Sequence, residues 1–213
     1  MKTGQALLRT ISLALPYIAV ILGLYIFHNA WLCIGIYHAG MILILLLARK
    51  QGLARSLLVG WRLVPGVSSM VFGLLGGVLV LSLLPWLGLG QGLVTRLASL
   101  GLSGYAWPLF VFYHAMVNPW LEELFWRGFL GNRAGYPVTE DFLFAGYHVP
   151  VLALFLGWPW LIPAFGALFG SAWLWRWLAR KCGGLAVPAL SHLAGDSGVM
   201  IALWIVSLKF QNC

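Results

Sequence analysis

Charge is the scarcest property of this chain. Only 8% of its 213 residues are Asp, Glu, Lys or Arg, and the acids number five. A water-soluble domain carries about a quarter charged residues. With 62% hydrophobic residues and a mean hydropathy of +0.92, this chain has no such polar cover, which excludes a soluble globule. Cysteine is scarce as well. Cys33, Cys182 and Cys213 stand far apart in different settings, give neither a metal-ligand spacing nor an evident disulfide pair, and leave the redox compartment open. Cys33 follows Ala30, Trp31 and Leu32, which are too bulky for lipoprotein processing, and reads as a core thiol. No small-x-small cleavage site follows the first apolar stretch, Ile11 to Phe27, so that stretch reads as a retained helix. There is no internal repeat, no soluble domain and no His-Glu-x-x-His pair to fix two metal ligands on one helix.

What is present is a series of apolar runs. A bilayer core of about 30 Å takes roughly 20 apolar residues per helical span. The sequence supports seven such spans, near 11–29, 31–48, 64–84, 105–131, 139–156, 159–180 and 184–207. The expected fold is an all-α polytopic membrane bundle in one domain, residues 1–213, with two short interfacial helices. The first interfacial helix is basic, with Leu53, Leu57 and Trp61 on one face and Arg55 and Arg62 elsewhere. The second sets Leu93, Val94, Leu97 and Leu100 against Gln91, Thr95, Arg96 and Ser99. The formal net charge of +8 lies at span ends, so it reports topology and not a nucleic-acid partner. Lys2, Arg9, Arg49, Lys50, Arg55, Arg62, Arg127, Arg133, Arg176, Arg180 and Lys181 fall on one side, and Arg96 and Lys209 on the other. The positive-inside rule makes the first side cytoplasmic, with the amino terminus inside and the carboxy terminus outside. The glycines and tryptophans need only close helix packing and interfacial anchoring.

Three of the acids, Glu122, Glu123 and Asp196, fall within or at the edge of expected spans. A carboxylate at membrane depth costs at least a few kcal/mol and marks a functional site by default. In Asn118-Pro119-Trp120-Leu121-Glu122-Glu123-Leu124-Phe125-Trp126-Arg127-Gly128, Asn118 and Pro119 suggest a cap and a restarted helix. Glu123 precedes Arg127 by four, the favourable orientation for a helical ion pair. Glu122 lies about 100° round the helix from Glu123 and is left for chemistry. Phe144 and His148 share one helical face, as do His192 and Asp196. Glu122, His148 and His192 therefore come from three helices at similar depth, toward the cytoplasmic half.

A carboxylate and a histidine on one water make a general base for peptide hydrolysis, and a second histidine can stabilise the developing oxyanion. The same Glu122, His148 and His192 could alternatively form a zinc set with an open position. No other cofactor is expected.

Pro-x-x-Glu-Glu-x-x-x-Arg-Gly, Phe-x-x-x-His and His-x-x-x-Asp, in this order from Val117 to Met200, resemble the CPBP family: Rce1-like CAAX proteases and bacteriocin-processing or immunity proteins. The resemblance implies a glutamate-dependent intramembrane endopeptidase with its core in residues 117–200. It implies that Glu122 and His148 activate water, that His192 and Asp196 lie on the oxyanion side, and that Glu123 and Arg127 support them. The family often has Asn where this chain has Asp196. An ionised Asp would repel an oxyanion, so Asp196 either orients a protonated His192 or is itself protonated.

The remaining polar residues read more plainly. Asn118, four residues before Glu122, could approach the same cavity but reads more simply as a cap; His28, His38 and His114 are packing or interfacial residues; Glu140 and Asp141 belong to a solvated turn; Trp126 and Phe144 shape or dry the cavity. The expected partners are the lipid bilayer and a membrane-associated protein or peptide, and the expected location is the inner membrane if the source is bacterial. The sequence does not set oligomeric state or substrate. Two rival classes use the same residues: a non-catalytic immunity or binding protein, and a proton-coupled transporter, against which the absence of a second acidic cluster argues mildly.

Overall fold

Asn, Gly and Pro divide the apolar runs into helices. The computed structural model describes residues 2–132 and 134–211; Arg133 and Cys213, with the side chains of Lys2 and Gln91, lie outside the described residues. Helix α1 (Lys2–Val20) runs into a wide turn (Ile21–Ile26) and is followed by α2 (Ala30–Ala48). Asn29 caps α2 by accepting the Leu32 N–H at 2.8 Å. Helix α3 (Leu63–Leu87) ends at Gly88, whose φ of 66° is a left-handed conformation that glycine takes without a Cβ clash. Next come α4 (Gly90–Ser99) and α5 (Ala106–Glu122), which continues into a π-helical turn (Glu123–Phe129). The bundle closes with α6 (Thr139–Ala153), α7 (Trp158–Cys182) and α8 (Ala186–Gln211). No strand occurs among the described residues.

Four of these stretches are long and apolar enough to cross a membrane: Gly4–Ile26, Ala30–Ala48, Leu63–Leu87 and Ala186–Phe210. The expected fourth to sixth spans are helical as α5, α6 and α7 but fall outside that set. Helix α5 has 17 residues before its π turn and α6 has 15, and α7 carries Arg176, Arg180 and Lys181 near its end. Among the described residues, length and composition alone thus mark four candidate crossings and leave the count of seven open.

Helix α8 is the spine. It packs along α3 and also touches α4, α5 and α7, while α1 pairs with α2 and α6 with α7. The α3–α8 seam is made of small residues. A Cβ on Gly73 would stand 2.8 Å from the Ser191 carbonyl oxygen and 2.9 Å from the Gly195 nitrogen, and one on Gly77 would collide with the Gly198 carbonyl. Backbones approach this closely only where side chains are missing.

The second interfacial element matches α4, which buries Leu93, Leu97 and Leu100. The first is shorter than expected. It is a single 3₁₀ turn (Ala54–Leu58), because the chain becomes extended at Val59 and left-handed at Gly60, and Trp61 lies beyond the turn. Glu140 and Asp141 do not form a solvated turn but open α6. Asp141 is buried, accepts the Val138 N–H at 3.0 Å and takes Arg176 Nη2 at 2.6 Å, while Glu140 pairs with Arg9. The sequence reading missed these partners because Arg9 and Arg176 come from α1 and α7. Cys33 and Cys182 are both free thiols, the first half-buried and the second buried.

Candidate active site

The polar residues of the bundle interior converge where α5 meets its π turn. Pro119 does not restart a helix: α5 runs through Asn118 and Pro119 to Glu122, the proline costing only its own amide bond. The backbone then widens, and the Leu130 N–H reaches five residues back to the Phe125 carbonyl at 2.9 Å. Glu122 and Glu123 flank this change of pitch, and both are fully buried.

Glu122 and Glu123 have separate partners. Glu123 Oε1 lies 3.1 Å from Arg127 Nη1 and takes His192 Nδ1 at 3.0 Å. The Arg127 guanidinium is sandwiched by rings, 4.4 Å from the Phe144 centroid and 5.1 Å from that of Trp175, and its Nη2 reaches the Ala172 carbonyl at 3.4 Å. Glu122 Oε1 accepts the Tyr37 hydroxyl at 2.7 Å and also that of Tyr147. Its Oε2 lies 3.5 Å from His192 Nε2 and has no hydrogen bond among the described residues.

His192 therefore joins the acids. Its ring stacks on Trp175 at 3.9 Å and 16°, and Trp175 is itself held through Nε1 to the Ser191 hydroxyl at 3.1 Å. Beyond its Glu122 contact, Nε2 faces Asp196 Oδ1 at 3.4 Å. Both ring nitrogens face carboxylate oxygens, an arrangement satisfied in full only when each nitrogen carries a proton. Asp196 Oδ2 accepts from Asn118 Nδ2 at 3.1 Å, and Asn118 Oδ1 accepts from His38 Nε2 at 3.1 Å. His38 Nδ1 meets the Tyr113 hydroxyl at 2.8 Å, and His114 Nδ1 lies 3.9 Å from Asp196 Oδ2.

His148 is placed differently. Its Nδ1 donates to the Phe144 carbonyl at 2.8 Å, and its ring stacks on Tyr147 at 4.0 Å and 30°. Among the described residues it shares no hydrogen bond or ion pair with Glu122 or His192; Tyr147, bonded to Glu122, is the link between them. Nδ1 being the donor, Nε2 presents its lone pair. His148 is part-buried, as are Asp196 and His114, while His192 is 2% exposed, so the cluster reaches the surface beside His148 and beside Asp196. A hollow of about 350 Å³ lined by Arg9, Ala48, Phe129 and Leu130 includes none of these groups.

The structure thus brings Glu122, Glu123, Arg127, His192 and Asp196 into one network and sets His148 beside it. It also supplies members that the sequence reading placed elsewhere. Asn118 is not a cap but a buried bridge between His38 and Asp196, and Tyr37 and Tyr147 hold Glu122. Trp126 is more than packing, since its Nε1 donates to the Tyr37 hydroxyl at 2.8 Å. Nothing in an apolar helix marks Tyr37 or His38 as polar partners of a site some eighty residues away, although adjacent buried Tyr and His in α2 were a usable hint. A zinc set of Glu122, His148 and His192 does not fit this arrangement. No group of three or more His, Cys, Asp or Glu among the described residues is placed to hold a metal.

Residues 104–198 match the family model for type II CAAX prenyl endopeptidase Rce1-like. Over this segment the chain is similar to an Rce1-like domain. The match is consistent with the CPBP family and begins somewhat before the motif core. No curated protein and no solved structure matches the chain. The matched segment contains Asn118, Glu122, Glu123, Arg127, Tyr147, His148, His192 and Asp196, whereas Tyr37 and His38 of α2 lie outside it. That family is one of proteases, and among its described residues the chain has four helices long and apolar enough to cross a membrane.

Proposed function

We propose that this protein is a glutamate-dependent intramembrane endopeptidase that cleaves a membrane-associated protein or peptide near its carboxy terminus or leader. The observation that carries the reading is the uneven occupation of Glu122. Two phenols occupy Oε1, while Oε2, facing His192, accepts no hydrogen bond among the described residues.

Oε2 is then the atom that takes a proton from water as the water oxygen attacks the scissile carbonyl carbon. His148 Nε2 is a second acceptor at the accessible edge. Such a base contributes about 10²- to 10⁴-fold. As the tetrahedral oxygen gains charge, it is met by the His192 Nε2–H, which is held only loosely at 3.4 and 3.5 Å and can swing to a better acceptor. Asp196, itself tied to Asn118, keeps that imidazole oriented. The proton on Glu122 then passes to the leaving amine as the C–N bond breaks. Glu123 and Arg127 fix His192 from the other side. Because Glu122 is fully buried, the peptide gains access only after a local opening, with His148 and Asp196 at the part-exposed edges.

The same reading has the chain cross the membrane seven times with its amino terminus in the cytoplasm, as the placement of the basic residues supports, and puts cleavage in the cytoplasmic half. A prenylated Cys-aliphatic-aliphatic-X carboxy terminus is the first substrate to test, followed by bacteriocin leaders and carboxy-terminal sorting signals. The decisive experiment compares wild type with a purified Glu122→Gln variant on a prenylated peptide of that form. The variant is also used to trap chains in native membranes for identification by mass spectrometry. Loss of cleavage with retained folding supports the reading; full cleavage by folded Glu122→Gln overturns it.

A further inference from the structure

We infer that Tyr37, from outside the segment matched to the Rce1-like family, is a positioning residue that fixes the plane of the Glu122 carboxylate so that one oxygen is free to react, with its own hydroxyl aimed by Trp126. The inference rests on the peptidase reading and adds a component from α2 to it.

The direction of the Tyr37 hydroxyl follows from hydrogen-bond inventory. An indole N–H can only donate, and Trp126 Nε1 lies 2.8 Å from the Tyr37 oxygen, so the phenol oxygen is the acceptor there. The single phenolic proton is left for Glu122 Oε1, at 2.7 Å. All three side chains are buried, Tyr37 at 6% and Trp126 at 2% exposure, so no water competes for these positions from the surface.

Rotation about the last torsion of a glutamate is broad, so packing alone does not decide whether the carboxylate plane turns one oxygen squarely to His192. Two O–H donors on one oxygen do decide it. Tyr147 supplies the second donor, but its ring also stacks on His148, so removing its hydroxyl perturbs two groups at once. Tyr37 also neighbours Tyr147, their ring centroids 5.5 Å apart, but its ring does not stack on His148, which makes it the cleaner probe. Its sequence neighbour His38 turns to Asn118, so α2 supports both acidic arms of the site from one turn of helix.

The test uses the full chain in lipid nanodiscs and a quenched fluorogenic peptide ending in prenylated Cys-aliphatic-aliphatic-X. Tyr37→Phe keeps the ring and removes one charge-assisted hydrogen bond, so kcat falls about 10- to 100-fold while KM stays within about two-fold. Trp126→Phe lowers kcat less, and lowers it no further when Tyr37 is already Phe. A second readout is independent of cleavage: infrared spectra of protein labelled with ¹³C-carboxyl glutamate, in which the Glu122 band is the one lost in Glu122→Gln. That band shifts in Tyr37→Phe and in Trp126→Phe, with no added shift in the double variant. Wild-type kcat in Tyr37→Phe, an unmoved Glu122 band, or equal losses from Trp126→Phe in both backgrounds each overturn the inference. If the band moves as described while Glu122→Gln cleaves like wild type, the peptidase reading falls and the restraint on Glu122 stands.

Discussion

Arg176 tests how the bundle holds buried charge. Its Nε lies 3.0 and 3.2 Å from the two Asp141 oxygens, and its Nη2 lies 2.6 Å from Oδ2. Its remaining N–H groups donate to the Ala134 carbonyl at 2.5 Å and the Tyr136 carbonyl at 2.8 Å. Both ends of the pair are 3% exposed. Arg176→Met leaves the Asp141 carboxylate buried with the Val138 N–H as its remaining donor, and it removes the Tyr136 contact while Arg180 and Trp173 still tie Ala134 and Gly135 to α7. Removing one partner of such a pair costs about 3–5 kcal/mol, most of it the penalty for the charge left behind. Asp141→Leu combined with Arg176→Met removes both charges, so the double variant recovers most of that loss. It should end about 1–2 kcal/mol below wild type, from the missing cap at α6 and the unpaired Tyr136 carbonyl. Reversible unfolding in mixed micelles or steric trapping in bicelles gives these differences. The reasoning fails if Arg176→Met costs less than about 1 kcal/mol, or if the double variant is no more stable than the single.

Three further outcomes are expected. Gly77→Val on the α3–α8 seam destabilises the bundle by about 1–3 kcal/mol through overpacking. Gly92→Ala, where an added Cβ meets nothing within 4 Å, is neutral or slightly stabilising in the same unfolding assay. Single cysteines at positions 135 and 157, placed in a background with the native cysteines removed, should label from opposite faces of sealed vesicles; labelling from one face would overturn the crossing of α6. Protein stripped with a strong chelator should keep its cleavage rate, and loss with recovery on stoichiometric zinc would overturn the metal-free route.

The sequence showed the acidic and histidine motifs because buried charge in an apolar chain is conspicuous and because spacings of four fix a common helical face. That reasoning placed Glu123 with Arg127 and His192 with Asp196, and both contacts are in the structure. It could not see contacts made across helices. Asn118 before Pro119 has the local signature of a cap, yet its amide is used by His38 and Asp196. Glu140 and Asp141 after a Pro-Val pair look like a polar turn until Arg9 and Arg176 arrive from far along the chain. Hydropathy marked the four long apolar helices plainly, whereas α5 and α6, which carry polar groups of the site, are helical but shorter.

The π turn has a consequence for how the chain can vary. A seven-residue wide turn, Glu123–Phe129, sits between α5 and the loop that leads to α6, so the faces before and after it are out of phase by design of length, not of chemistry. Substitutions within the turn can keep that offset. Deleting a single residue, such as Leu124, would let the backbone relax to ordinary pitch and shift Trp126 and Arg127 together relative to Glu123, disturbing both the Tyr37 contact and the buried ion pair. The spelling of this stretch can drift, but its letter count cannot.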